Sequence, residues 1–308
     1  MNSDCGDTGA MSTSKFREWG PVIGPGLIWG SSYLFIAEGL TAMRPAGITF
    51  TRCVIGFVVL SVARMATPGV RRSIDPADRW RVLLLGLIWL AIPMSMFPFA
   101  EQHVSSAVTG LLNAATPLFV AVVAAGQTKT LPSRGVRVAL AVGLGGGVLI
   151  ALPNLAEGRS TSWGVGLVLA ALVFYGFAIN LARPLQQRNG ALPVMWRAVS
   201  VAAVLTAPTG IGPLVDATWT TRSALSMLAL GALGTGLANV LVANAAGRTT
   251  ATRASAMGFI IPAVSLALGI VVRNEIVHPV SILGGLICVA GAFGLARASS
   301  QTAPATRV

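Results

Sequence analysis

Ten runs of about twenty apolar residues, separated by short polar breaks, decide what this chain can become. A helix needs ~20 such residues to cross ~30 Å of hydrocarbon. The runs lie at 22–43, 47–66, 81–100, 104–126, 136–153, 162–182, 191–210, 223–246, 252–273 and 278–297. They leave only tails and brief loops of a 308-residue chain, the longest loop running from Ala66 to Trp80, so no soluble domain fits. Composition agrees: 54% of residues are hydrophobic and 10% are charged, where a soluble protein carries roughly 25% charged residues. The expected class is an all-α membrane protein of ten transmembrane helices. Soluble enzymes, disordered chains and secreted disulfide scaffolds are excluded. Cys5, Cys53 and Cys288 are odd in number, and the last two sit in apolar runs as small hydrophobes. They imply neither a disulfide framework nor a metal site. The polar tail over residues 1–18 precedes a run that continues into further spans, unlike a secretory signal.

The net charge of +12 would suit nucleic acid, yet no stretch interleaves basic with aromatic residues, so no nucleic-acid partner is expected. Basic residues sit between the spans and report orientation instead. Of the 22 Lys+Arg, Arg52 and Arg197 fall inside spans. With the N-terminus inside, sixteen fall on the inner side and only Arg44, Arg159, Arg222 and Arg273 on the outer. One false span would invert every later loop and spoil that bias. The expectation is a multi-pass protein of the cell (inner) membrane, surrounded by lipid, with both tails (1–18 and 299–308) cytoplasmic.

Sliding the chain against itself by 145 residues brings Leu27 onto Leu172, Arg52 onto Arg197, Gly86 onto Gly231, Pro117 onto Pro262 and Gly146 onto Gly291, without a gap. Intramembrane arginines and mid-span prolines are rare, so this register marks two repeats, 19–155 and 156–298. Each holds five spans. Because five is odd, the second repeat is predicted to be inverted relative to the first, the arrangement of carriers that alternate access around a midplane site.

Trp29-Gly30-Ser31-Ser32-Tyr33, the Arg-containing second span from Thr49 to Phe57, and the series Pro262, Glu275, Gly284, Gly291 resemble the EamA-type drug/metabolite transporters over about residues 20–297. The resemblance implies efflux of an amino acid, a related metabolite or a drug-like compound. The family's usual Gly-Glu near the end of the fourth span is Lys129-Thr130 here, whereas Asn274-Glu275 keeps the acid in the second repeat.

Pro117 and Pro262 each remove a backbone donor mid-span and free the carbonyl four residues earlier, at Asn113 and Gly258. Such groups survive in hydrocarbon only against protein or a water-filled cavity. The helix-break levels of both repeats are therefore expected to face one cavity. Its expected substrate-binding lining is Trp29, Ser31, Tyr33, Trp89, Asn113, Tyr175, Asn180, Asn239 and Ser255, aromatics and amides that suit an organic solute. Any single Ser or Asn serves equally well as helix glue. Gly143-Leu144-Gly145-Gly146-Gly147 reads as a GxxxG helix contact; it lacks the Lys-Ser/Thr of a phosphate loop. Glu38 and Arg52 each lie seven residues from the turn near Pro45, hence ~10 Å along their helices, and are expected to pair. His103 and His278 fall in outer loops and read as solvated.

No hydrolase motif is present, and the ionisable residues within spans are too few for catalysis. The expected function is secondary transport of a small organic solute, not an enzymatic activity, and no cofactor is called for. Alternatives are a membrane-embedded enzyme on a lipid-linked substrate, a passive pore, and a phosphorylated-metabolite exchanger for which Arg52 and Arg197 would supply cations. A homodimer is compatible with the sequence and not required by it.

Overall fold

The computed structural model describes the backbone of residues 8–67, 73–129, 131–245 and 257–301, and the side chains of 23–67, 73–129, 131–242 and 260–298. All regular structure among them is helical. In chain order the helices are α1 (Thr8–Gly39), α2 (Pro45–Ala66), α3 (Pro76–Ala100), α4 (Ser106–Thr128), α5 (Arg134–Ala156), α6 (Ser162–Asn189), α7 (Ala191–Val215), α8 (Thr221–Val242, continuing to Ala245), α9 (Met257–Arg273) and α10 (Pro279–Gln301). Eight of these, α2 to α8 and α10, are long and apolar enough to cross a membrane; the apolar stretch described in α9 is the shorter Ile260–Arg273.

The starts follow local chemistry. Pro45 opens α2, where a missing N–H costs nothing. Ser105, Ser133 and Thr161 cap α4, α5 and α6 with side-chain oxygens, and Thr220 with Ser223 forms a reciprocal capping box on α8. Along the flanks, Leu27, Val58, Val62, Val138, Leu228 and Leu286 turn outward, which puts apolar groups where lipid would lie.

The 145-residue register reappears in three dimensions. Each repeat carries one π-helical segment, Gly86–Ala91 in α3 and Leu230–Leu237 in α8. Among the described residues, the two non-glycine residues with left-handed backbone are Lys129 (φ 52°) and Asn274 (φ 54°), at the ends of α4 and α9, again 145 apart. Contacts obey the same exchange: α1 packs on α9 as α6 packs on α4, and α2 packs on the π segment of α8 as α7 packs on that of α3. Helices α2 with α7, α4 with α9 and α5 with α10 pair with their own counterparts. Most of the packing is therefore between the halves rather than within them.

Glycines set the closest approaches. A Cβ on Gly146 would lie 2.5 Å from the Cys288 backbone nitrogen and 2.6 Å from the Gly284 carbonyl oxygen, and one on Gly291 would strike the backbone of Gly143. The pair that meets α10 is thus Gly143 and Gly146, whereas Gly145 and Gly147 face open space. The GxxxG spacing of Gly143 and Gly147 is not the contact; one helical turn brings residues three apart onto one face as readily as residues four apart.

Candidate functional site

A cavity of about 270 Å³ opens where α1, α2, α3, α4, α6, α8 and α9 converge. This is near the lower end of the range for small-molecule sites, roughly 300 to 1,000 Å³. Of the expected residues, Trp29, Tyr33, Trp89, Asn113, Pro117, Tyr175 and Asn239 line it. Both tyrosines of the chain are among them. Tyr33 meets Phe97 edge-on at 5.8 Å between ring centroids, and Phe97 meets Tyr175 at 5.8 Å. The resulting aromatic ladder runs from α1 through α3 to α6, each contact adding ~0.5–1.5 kcal/mol beyond burial.

The π segments support the wall: that of α3 contributes two lining residues, and that of α8 bonds two others from behind. A π turn inserts one extra residue and disturbs the hydrogen-bond ladder, which places backbone groups where an α-helix would hide them. In α8 the Gly234 carbonyl accepts from Trp29 Nε1 at 3.0 Å, and the Thr235 carbonyl accepts from Asn239 Nδ2 at 2.8 Å. In α3 the corresponding segment contributes Trp89 and Leu90. No residue pattern predicts this bulging. The clue lies in the clustered glycines, Gly231, Gly234 and Gly236, two of which admit Ile55 and Val59 of α2.

Several expectations are corrected. Ser31 donates to the Leu27 carbonyl in its own helix and does not line the cavity. Asn180 donates to the carbonyls of Val120 and Gly176, joining α6 to α4, and borders a separate pocket near Arg81 and Arg188. An amide in hydrocarbon bonds whatever carbonyl lies nearest, and position along the helix does not reveal which. Ser255 lies outside the described residues, as does the Asn244 side chain.

The two prolines are not equivalent. In α4 the helix breaks at Ala114 and Ala115, and Pro117 starts the segment Thr116–Thr128. The hydroxyl of Thr116 donates to the Asn113 carbonyl at 2.8 Å and sits 2.9 Å from Asn113 Oδ1. Pro262 instead lies inside the continuous helix Met257–Arg273, its carbonyl accepting from Ser265, while Ile261 rather than Pro262 reaches the cavity. Only the first repeat has a serine or threonine immediately before its proline to close the gap.

The Glu38/Arg52 pair is not formed. Glu38 is held by Arg222 (Nε–Oε2 2.7 Å) and Arg273 (Nη1–Oε1 2.6 Å). Arg52 points into the cavity and donates from Nε to Thr235 Oγ1 at 3.1 Å. An equal distance from the turn at Pro45 says nothing of rotation about the helix axis, which sends the two side chains to different partners. Beside this cluster Glu275 accepts from the Ser106 and Ala107 backbone nitrogens and the Ser106 hydroxyl, capping the start of α4. The acid kept only in the second repeat therefore serves the first. In the loop after α3 both Glu101 carboxylate oxygens are buried without a hydrogen-bond partner. Burial pushes its carboxyl well above the usual carboxylate range; Glu275 adds to this, and Arg273 and Arg52 oppose it.

Ser32, part of the motif in α1, also lines the cavity, as do Ile36, Leu90, Met94, Phe97, Thr116, Ile179 and Ile261; these seven were not singled out from the sequence, and all but Thr116 are apolar residues in apolar spans, which carry no mark of function.

The chain is similar to a probable terminal-alkyne amino-acid exporter of Streptantibioticus cattleyicolor, 27% identical over 270 residues, which cover 85% of this chain and 88% of that protein. A solved crystal structure with 20% identity superimposes with a TM-score of 0.65 over 91% of this chain and 97% of its own, which speaks for the fold alone. The profile of the EamA-like transporter family matches twice, at residues 21–152 and 162–297. The two matches divide the chain where the 145-residue register does. The family and the exporter relative point to a transporter rather than an enzyme, and this multi-pass helical membrane protein belongs to the EamA-like transporter family.

Proposed function

We propose that the protein is a secondary carrier of ten spans, built of two inverted five-helix repeats (19–155 and 156–298), that exports a small organic solute by alternating access. An amino acid or related metabolite is the proposed cargo, the inner membrane the proposed site, and the cytoplasm the place of both tails. One observation carries this reading: the contacts between helices persist when the repeats are exchanged, and the cavity lies where the exchanged elements meet. An exchangeable pair of halves around one site can present it to either side by rocking. The amino-acid cargo is supported by the printed name of the relative and by the aromatic and amide lining. A membrane-embedded enzyme would need ionisable groups gathered in the pocket, and among the described residues the lining holds one charged side chain, Arg52, beside two tyrosines.

Counterflow in proteoliposomes tests the reading, with a panel of amino acids, nucleosides and cationic drugs, with and without a pH gradient. Saturable counterflow of an amino acid is expected. Asn113→Leu, which fills the cavity at the break in α4, is expected to lower it at least ~10-fold at unchanged abundance, as loss of a polar partner at a binding site does. Flux without counterflow would indicate a pore, and chemical change of the solute an enzyme.

Orientation has its own test. A cysteine at Asp216 is expected to react with a membrane-impermeant thiol reagent in whole cells, and one at Arg188 only after the membrane is opened. Reversed labelling would overturn the proposed placement of the tails.

A further inference from the structure

Among the described residues, the central cavity is lined by one charged group and nothing of opposite charge. Arg52 projects from α2 into it at 4% exposure. Apart from the Nε bond to Thr235, no hydrogen-bond acceptor or carboxylate within ion-pair distance is found for it among the described residues. Of the nearby acids, Glu38 is committed to Arg222 and Arg273 and Glu275 to the start of α4, while Glu101 feels the charge of Arg52 but makes neither a hydrogen bond nor an ion pair with it. Elsewhere the chain matches such charges, as where Asp78 accepts from Arg81, Arg188 and Asn189. A guanidinium inside a membrane protein without a counter-ion is expensive, and such residues usually mark substrate pathways.

The geometry points to Arg52 as the anchor for a carboxylate of the transported solute, so that the cavity selects zwitterionic monocarboxylates with a compact apolar side chain and rejects cations. This inference rests on the transport reading above and narrows its substrate class. A guanidinium offers a planar fork that matches a carboxylate. With Nε engaged by Thr235, the Nη groups remain for the solute. An attached ammonium would meet the ring faces of Trp29, Tyr33 and Tyr175 and the amide of Asn113. A solute with net positive charge would face Arg52 at low dielectric, where like charges repel far more strongly than in water. A phosphate dianion would bring two charges to one cation. The repeat counterpart offers no second: Arg197 donates to the Pro193 carbonyl, lies 5.6 Å from the Trp196 ring centre, and is absent from the lining.

The test uses the full chain in proteoliposomes with norleucine as probe, beside norleucine amide, a cation of nearly the same shape at neutral pH. Norleucine counterflow is expected, with unlabelled norleucine competing at least ~10-fold better than the amide, the scale of one charge-assisted hydrogen bond. Arg52→Gln is expected to lose norleucine counterflow at least ~10-fold, and Arg52→Lys to keep part of it. Equal competition by acid and amide in the unmodified protein would overturn the inference even if the variants fail to fold, and so would full norleucine counterflow by Arg52→Gln. Counterflow of nucleosides or cationic drugs without norleucine would remove the anchor and leave the carrier standing. Absence of counterflow for every solute would remove the carrier reading, and the anchor with it.

Discussion

Gly146→Val is expected to abolish recovery of folded protein, and Gly145→Ala and Gly147→Ala to leave it unchanged. The three positions are adjacent in sequence and differ only in what a side chain would meet. At Gly146 the first added carbon falls on the Cys288 nitrogen and the Gly284 carbonyl oxygen of α10. Both are backbone atoms, so no rotamer change relieves the clash and the helices must separate. Overpacking a core costs about 1–3 kcal/mol when side chains can yield; here they cannot, and the loss is expected at or above the top of that range, against a total stability of ~5–15 kcal/mol. Separation would also undo the reciprocal contact at Gly291, which meets Gly143. At Gly145 and Gly147 nothing lies within 4 Å, and alanine is the better helix former by ~1 kcal/mol. Size-exclusion recovery after detergent extraction, followed by thermal melting, measures the contrast. Normal recovery of Gly146→Val would mean that α5 and α10 do not meet as described.

Glu38→Gln is the second large effect, and its pattern of rescue identifies the partners. The carboxylate is 8% exposed and sits between Arg222 and Arg273, whose side chains are 58% and 30% exposed. Removing its charge leaves two guanidiniums facing one another across the ends of α8 and α9. Removing one member of a buried pair costs ~3–5 kcal/mol. Water screens Arg222 here, so on the order of 1–3 kcal/mol is expected. Arg222→Gln alone should cost less, because its water-exposed head loses little and Glu38 keeps Arg273. Glu38→Gln with Arg273→Gln should recover part of the loss, since the remaining charge is the better solvated one. Glu38→Gln with Arg52→Gln should recover nothing. Melting temperatures of these variants measure the couplings; recovery by Arg52 and not by Arg273 would reverse the assignment.

The legible part of this protein came from periods and rare residues. Of the two backbones that satisfy themselves in lipid, helix and closed barrel, only the helix takes unbroken apolar runs of ~20 residues, which makes the helical class readable without coordinates. The offset joining Arg52 to Arg197 and Gly146 to Gly291 is a property of the string, and the matched π segments, left-handed residues and glycine contacts are its spatial expression. Six of the expected lining residues were legible because aromatics and amides are conspicuous in apolar spans, and Pro117 because a mid-span proline is; a conspicuous group in hydrocarbon needs a reason.

Tertiary structure decided everything that depends on rotation and on reach between distant helices. Glu38 and Arg52 are equally far in sequence from the turn at Pro45, yet one side chain turns to Arg222 and Arg273 and the other into the cavity, because sequence distance leaves the direction around a helix open. Asn180 and Asn239 look alike in sequence, but a neighbouring carbonyl on α4 claims the first while the second stays in the wall of the site. Pro117 and Pro262 are matched in the repeat, and Thr116 makes only the first a closed break. Sequence sets which groups must be satisfied within the membrane; which partner satisfies each, across 184 residues for Arg222 and Glu38, is fixed only when the helices have packed.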